Sequence, residues 1–370
     1  GLRASSLEQY HQCLLQILEE LINLQEEDRE GGLGSSVFVH NKGYVNLHFE
    51  VCFIIGDTAG HDILYCHYMG YSKRVHIPVR VCNCDWNDLD VSVLGCEMVV
   101  SDEILDCVDE CMDYIVRRED VQYHRQRAKE ISQNLHIPIF RNISFGGDVH
   151  GIFGATPFEV LHTLLLGIMK YVLKTLFNYK SIPSTYNPIS NSVLNTVQFE
   201  RRIRILSMAS KRQSDRNFPR AVFNSGVTSL SGINGQEYIG LSLLSIIALP
   251  HMLKDAMLEK KFAKILWLGI SIHEYLTRDD IPKVEIQSQF LYTKIGSYID
   301  LFVEVCGPQR QITSPHVVCK LQKLHGMLHF PTQISRFGSA QNFNGNFLES
   351  HLKTFVKQPA KRTRKTHMYF

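Results

Sequence analysis

A chain of 370 residues, 44% apolar and 21% charged, has the composition of an ordinary globular protein and the length of two domains, or of one domain carrying a large insertion. Its 20 Phe and 15 Tyr need a core, which excludes an intrinsically disordered chain, and a net charge of +2 means that any nucleic-acid partner must be argued from local clusters. The longest apolar run, Ile239 to Leu249, is far short of the roughly 18 to 20 residues that cross a bilayer, and Pro250 closes it, so no membrane span is expected. Ten cysteines at scattered spacings in a chain this long read as reduced thiols inside the cell, some of them metal ligands. The chain opens at Gly1 without a charged and apolar leader and reads as a fragment or a trimmed product.

Ser5 to Glu27 carries Leu14, Leu18, Leu21 and Ile22 at helical spacing behind a serine cap, which predicts an amphipathic helix ended by Asp28 to Ser36. Val37 to Val39 and Val45 to Ile55 predict strands, the second closing in Val51-Cys52-Phe53-Ile54-Ile55 as if buried on both faces. His76 to Cys84 and Ile137 to Ile143 are further strand candidates, and Ser101 to Gln133 is charged and helical. Pro157 to Phe177 predicts a helix with proline in its first turn and Leu161, Leu165, Ile168 and Val172 on one face. From Asn187 to about Cys306 the pattern is almost wholly helical, in Gln236 to Leu258, Lys260 to Leu276 and Glu285 to Val305. Pro315 to His329 and Phe347 to Lys357 predict the last helices, before a basic tail. Strands followed by helices give an α/β class, with residues 1–180 as the first part of the core, 181–309 as a large all-α insertion, and 310–370 as final core helices and tail.

Two familiar sites drop out first. Gly31-Gly32-Leu33-Gly34 lacks a following Gly-Lys-Ser/Thr, and His273-Glu274 meets Thr277 where a metalloprotease needs its second histidine. Three constellations remain. His325 and His329 stand four apart on a predicted helix and can share one metal ion; Cys82 and Cys84 after a predicted strand can complete a tetrahedral Cys2His2 zinc site across about 240 residues. Surface histidines with core cysteines are the plainer alternative, and Cys107 with Cys111 is a rival thiol pair. Asp57, Glu159 and Glu349 sit at element ends, where acids can converge on divalent cations. Each also has an ordinary role open to it: Asp57 as a helix cap, Glu159 at a helix N-terminus, Glu349 paired with Lys353. His162, one turn from Glu159, can orient it or touch substrate. Basic clusters, Arg201, Arg202 and Arg204, then Lys211, Arg212, Arg216 and Arg220, and last Lys353, Lys357, Lys361, Arg362, Arg364 and Lys365, suit a phosphate backbone or simply a solvated face.

Together these residues carry a resemblance. The segment Gly154-Ala-Thr-Pro-Phe-Glu159-Val-Leu-His162 through Gly167-Ile-Met-Lys170-Tyr resembles the acid-x-x-His block of CACTA-type cut-and-paste DNA transposases. Ile54-Ile-Gly-Asp57-Thr-Ala-Gly-His-Asp62 with Cys82 and Cys84 is similar to their Gly-Asp-Thr block and cysteine motif. Lys323-Leu-His325-Gly-Met-Leu-His329-Phe-Pro through Phe343-Asn-Gly-Asn-Phe-Leu-Glu349-Ser-His-Leu-Lys353 resembles their terminal block, and Asn234-Gly-Gln-Glu237-Tyr a block of their helical insertion. The order and spacing match along nearly the whole chain.

The resemblance implies an RNase H-like catalytic core, a mixed sheet with flanking helices, interrupted by a helical insertion. It implies Glu159 and Glu349 as ligands of Mg²⁺ or Mn²⁺, with Asp57 near the site, and Cys82, Cys84, His325 and His329 as ligands of a structural Zn²⁺. It further implies double-stranded DNA as partner, a homo-oligomer, work in the nucleus, and Mg²⁺-dependent strand cleavage followed by attack of the freed 3′-hydroxyl on target DNA. Two departures stand out. The acid before x-x-His is often aspartate, with Asp148 here a nearby substitute for Glu159, and the family's first catalytic aspartate belongs upstream of the segment resembling Leu2 to Glu8. A domesticated descendant that binds DNA or protein without cutting, and an unrelated helical zinc scaffold, are the other functions open to the sequence.

Overall fold

A computed structural model describes residues 4–29, 35–67, 101–131, 133–136, 138–146, 148–177, 196–212, 230, 233–253, 255–282, 289–306, 322–345 and 354. The chain forms two compact units, Gly1–Asp88 with Ser92–Pro157, and Leu89–Val91 with Phe158–Phe370. The described residues are mostly helical, with one two-stranded sheet. The boundaries expected near residues 180 and 309 lie outside the described residues, as does the strand expected from His76 to Cys84.

In the first unit, helix α1 (Ala4–Arg29) forms where the leucine spacing predicts it. Its inward stripe runs through Leu7, His11, Ile22 and Gln25, all buried, so two of the four positions that periodicity reserves for apolar side chains are polar. Gln25 satisfies this burial by donating to the carbonyls of Phe49 and Ser144 and accepting from the Ser144 amide. Strands β1 (Ser35–Val39) and β2 (Gly43–Leu47) pair antiparallel, Val37 opposite Val45, around a turn in which Asn41 and Gly43 take positive φ.

The second predicted strand is half right. Pairing stops at Leu47, and Val51 to Ile55 is irregular chain, Cys52 exposed and the other four half-buried. Its amides bond singly, Val51 to the Ser144 carbonyl at 3.3 Å and Ile54 to that of Ala155 at 2.7 Å. A short apolar run is equally consistent with packed coil, and among the described residues no neighbouring ladder holds it as a strand. Ile137 to Ile143 is likewise corrected: Ile139–Asn142 is a 3₁₀ turn closed by Arg141 donating to the Pro138 carbonyl. The long charged helix breaks in two, α3 (Ser101–Val116) and α4 (Val121–Glu130), because Arg118 and Asp120 adopt left-handed backbone between them. Ile22, Tyr65, Phe140, Ile143, Phe145, Ile152, Phe153 and Ala155 make the core, several of them from turns and from the short helix α5 (Gly151–Gly154).

The second unit is built on the segment predicted from Pro157. It turns helical at Val160, as a π-helical stretch Leu161–Met169 that runs into α6 (Lys170–Phe177), so Pro157 precedes the helix and is not part of its first turn. Leu161, Leu165, Ile168 and Val172 are buried as expected, but so are most of their neighbours: this helix is enclosed on nearly every side. Helices α8 (Gly235–Ala248), α9 (Ala256–Leu276), α10 (Phe290–Cys306) and α11 (Gln322–Gly326) pack on the Leu161–Phe177 segment, and α7 (Thr196–Arg212) packs on α8. The helix expected over Gln236 to Leu258 ends at Ala248; the missing amide of Pro250 and the Asp255 side chain, which accepts from Met257 and Leu258, divide it from α9. The one expected to close at His329 instead tightens to 3₁₀ over Met327–His329 and continues as α12 (Phe330–Phe337), with Pro331 in its first turn. Of Phe347 to Lys357, residue 354 alone is described.

Candidate functional site

Glu159 is the focus of the second unit. Its carboxylate is 2% exposed, and each oxygen takes two donors. Oε1 accepts the His162 amide at 2.7 Å and pairs with His162 Nδ1; Oε2 accepts the amides of Leu161 at 3.1 Å and Gly345 at 3.2 Å. Two of these donors are first-turn amides that a helix cannot satisfy by itself, so Glu159 anchors the start of the π-helical segment. The third backbone donor comes from 186 residues further along the chain. A side chain at Gly345 would put its Cβ 3.0 Å from Oε2, a tight contact that glycine avoids. His162 is 23% exposed, so a ligand arriving from water meets its imidazole before the carboxylate.

The histidine pair lies against the same block. Gly326, between His325 and His329, faces the Phe158 ring so closely that a Cβ there would stand 2.9 Å from it. His325 is buried, His329 half-buried; their ring centroids are 5.1 Å apart, and the His329 ring stacks on Phe158 at 5.9 Å. The two rings remain neighbours although the backbone between them is 3₁₀, and imidazole nitrogens are donors of the kind zinc takes. Cys82 and Cys84 lie outside the described residues, as do Glu349, Lys353, Lys357, Lys361, Arg362 and Arg364.

Elsewhere the sequence-selected residues take structural roles. Asp57 is exposed in the first unit and caps α2 (Thr58–Leu64), its Oδ1 accepting the Gly60 amide at 2.7 Å. Asp148 accepts the amide of His150. Arg202 donates from Nη1 to the carbonyls of Ala248 at 3.0 Å and Pro250 at 2.6 Å, closing the C-terminus of α8, whereas Arg201 and Arg204 point into solvent and remain available to an anion. The rival thiols stand on α3, where burial first and then neighbouring Cys107 push the Cys111 thiol up to about 11. Glu237 and Asn234 form a reciprocal capping box at the start of α8.

One cluster was missed. In the first unit His11, Cys66 and His136 bring one nitrogen or sulfur each to within 4.8 Å of one another. Their separation in sequence hides them; the usable signal was a histidine at a core-facing position of α1.

No family model matches the chain, and no curated protein or solved structure does so either.

Proposed function

We propose that the chain is most of the catalytic core of a CACTA-like DDE/D transposase, an RNase H-like core carrying an all-α insertion, which cleaves double-stranded DNA and transfers its 3′-hydroxyl end. The observation that carries this reading is the hydrogen bond from the Gly345 amide to Glu159. It brings Gly345, which stands four residues before Glu349 in sequence, to the acid of the acid-x-x-His block. The packing of Gly326 on Phe158 adds the histidine block to the same neighbourhood.

Carboxylate oxygens are the donor type for Mg²⁺ or Mn²⁺, and Glu159 with Glu349 would hold the ions, while His325 and His329 with Cys82 and Cys84 would hold structural Zn²⁺. When bound, two such ions stabilise the attacking and leaving oxygens of an in-line displacement at phosphorus. His162 fixes the carboxylate of Glu159 and is the group that must swing aside to free a lone pair, since all four acceptor positions are taken. Arg201 and Arg204, exposed on one turn of α7, would grip the DNA backbone. On this reading the protein works on DNA in the nucleus, as a homo-oligomer.

The occupied carboxylate specifically favours a second reading, a transposase-derived module that binds DNA or protein without cutting it. Nicking of supercoiled plasmid in Mn²⁺ separates the two. Nicking by the full-length protein that disappears in a folded Glu349→Gln variant supports the enzyme; DNA binding by it without any nicking supports the module; neither nicking nor salt-dependent DNA binding refutes both.

A further inference from the structure

We propose that His11, Cys66 and His136 form a zinc site in the first unit, separate from the ligands considered above and independent of whether the transposase reading holds. Three segments distant in sequence supply one donor each: the inner face of α1, the residue after the C-cap of α2, and the turn that follows α4. His11 Nε2 stands 3.2 Å from Cys66 Sγ, and the His11 and His136 rings lie with centroids 5.1 Å apart. His11 is 1% exposed and Cys66 is fully enclosed, while His136 is half-buried and gives the cluster its edge toward solvent.

Two further observations point to a ligand. His11 Nδ1 and His136 Nε2 are both buried without a hydrogen-bond partner, and a buried polar atom left unmet is destabilising, so two in one cluster call for a missing partner. His11 Nε2, the nitrogen beside Cys66 Sγ, also lies 3.1 Å from the Ile63 carbonyl. That carbonyl is additionally served by the Cys66 amide, so Nε2 can turn its lone pair to a metal without stranding a backbone group.

The second observation is backbone strain. Cys66 sits in left-handed conformation with φ 58°, a region that side-chain-bearing residues rarely adopt. The surroundings enforce it: the Cys66 carbonyl accepts both the backbone amide of Asn134 at 2.7 Å and its side-chain amide at 2.8 Å, and neighbouring His67 bridges to Gln133. These bonds aim the Cys66 side chain at His11 and fasten its segment to the one that carries His136.

The chemistry argues against a reactive cysteine. Burial pushes the Cys66 thiol up and both imidazoles down, so without a cation the cluster is a neutral thiol among neutral rings, unlike the thiolate and imidazolium of a Cys–His nucleophile. A divalent cation reverses this locally, drawing the proton off the thiol, while neutral imidazoles are already in the form that binds it. One thiolate and two imidazoles suit zinc, with the fourth position left to water.

The test uses the full chain, stripped with chelator and titrated with Co²⁺ and then Zn²⁺, with bound metal counted by mass spectrometry. Wild type should take up one metal equivalent more than His136→Asn, and the part of its thiolate-to-cobalt absorption that remains when Cys82 and Cys84 are both changed to Ser should vanish on adding Cys66→Ser. Affinity at the site should fall at least 100-fold in His136→Asn, since loss even of an outer-shell partner weakens sites 10- to 100-fold. His136 is partly exposed, so its variant keeps the native circular dichroism and decides the matter should Cys66→Ser misfold. Equal stoichiometry and equal cobalt spectra in wild type and folded His136→Asn would overturn the proposal, as would a wild-type chain that takes up no metal.

Discussion

Glu159→Gln keeps the shape of a buried side chain and exchanges one acceptor oxygen for an amide NH₂. Placed at Oε2, that NH₂ would confront the buried amides of Leu161 and Gly345, two donors facing a donor. Placed at Oε1, it can donate to His162 Nδ1 once that nitrogen carries a lone pair, and it then strands one donor, the His162 amide. The amide therefore takes the second orientation, and the expected loss is that of one unmet buried donor, about 1–3 kcal/mol. Glu159→Ala strands all three backbone donors and should cost more than twice as much. Urea unfolding followed by circular dichroism should show the midpoint falling for Gln, and further for Ala, with the slope unchanged. His162→Ala should enlarge the cost of Glu159→Gln, because it removes the acceptor that rescues the amide. A Gln variant within 0.5 kcal/mol of wild type would refute the clamp, leaving the carboxylate open for a metal.

Three further outcomes follow from the packing and the charges. Arg202→Ala removes the donor to the Ala248 and Pro250 carbonyls and should cost about 1–2 kcal/mol, whereas exposed Arg204→Ala should leave stability unchanged and lower the salt dependence of DNA binding by about one ion; equal stability of the two variants would contradict the assignment. Gly167→Ala would set a Cβ 2.6 Å from the His162 carbonyl oxygen and 2.7 Å from Lys323 Cδ, so it should destabilise by about 1–3 kcal/mol despite the roughly 1 kcal/mol that alanine gains in helices, and a raised melting temperature would show that the backbone yields freely. Burial lowers His273 to about 4, below its unfolded value near 6.5. The unfolded chain then binds the extra proton between those values, so stability is full above about pH 6.5 and declines as pH falls toward about 4. His273→Gln should flatten that part of the melting profile, and an unchanged slope would exclude His273 as its source.

The sequence by itself determined where most helices lie, because periodicity and caps are local: α1, α9 and the segment from Leu161 to Phe177 all appear where their spacing puts them. It also singled out Glu159 and His162, and the histidine pair, since residues three or four apart on a helix share a face whatever surrounds it. It could not tell packed coil from strand in Val51 to Ile55, as that depends on a neighbouring ladder, nor foresee that Arg202 would close α8 while Arg204 faced water. That Glu159 also accepts a glycine amide 186 residues away was likewise set by tertiary packing. The approach of His11, Cys66 and His136 depended in the same way on how three segments pack, and no spacing encodes that; a histidine placed where α1 needs an apolar residue was the one local trace it left.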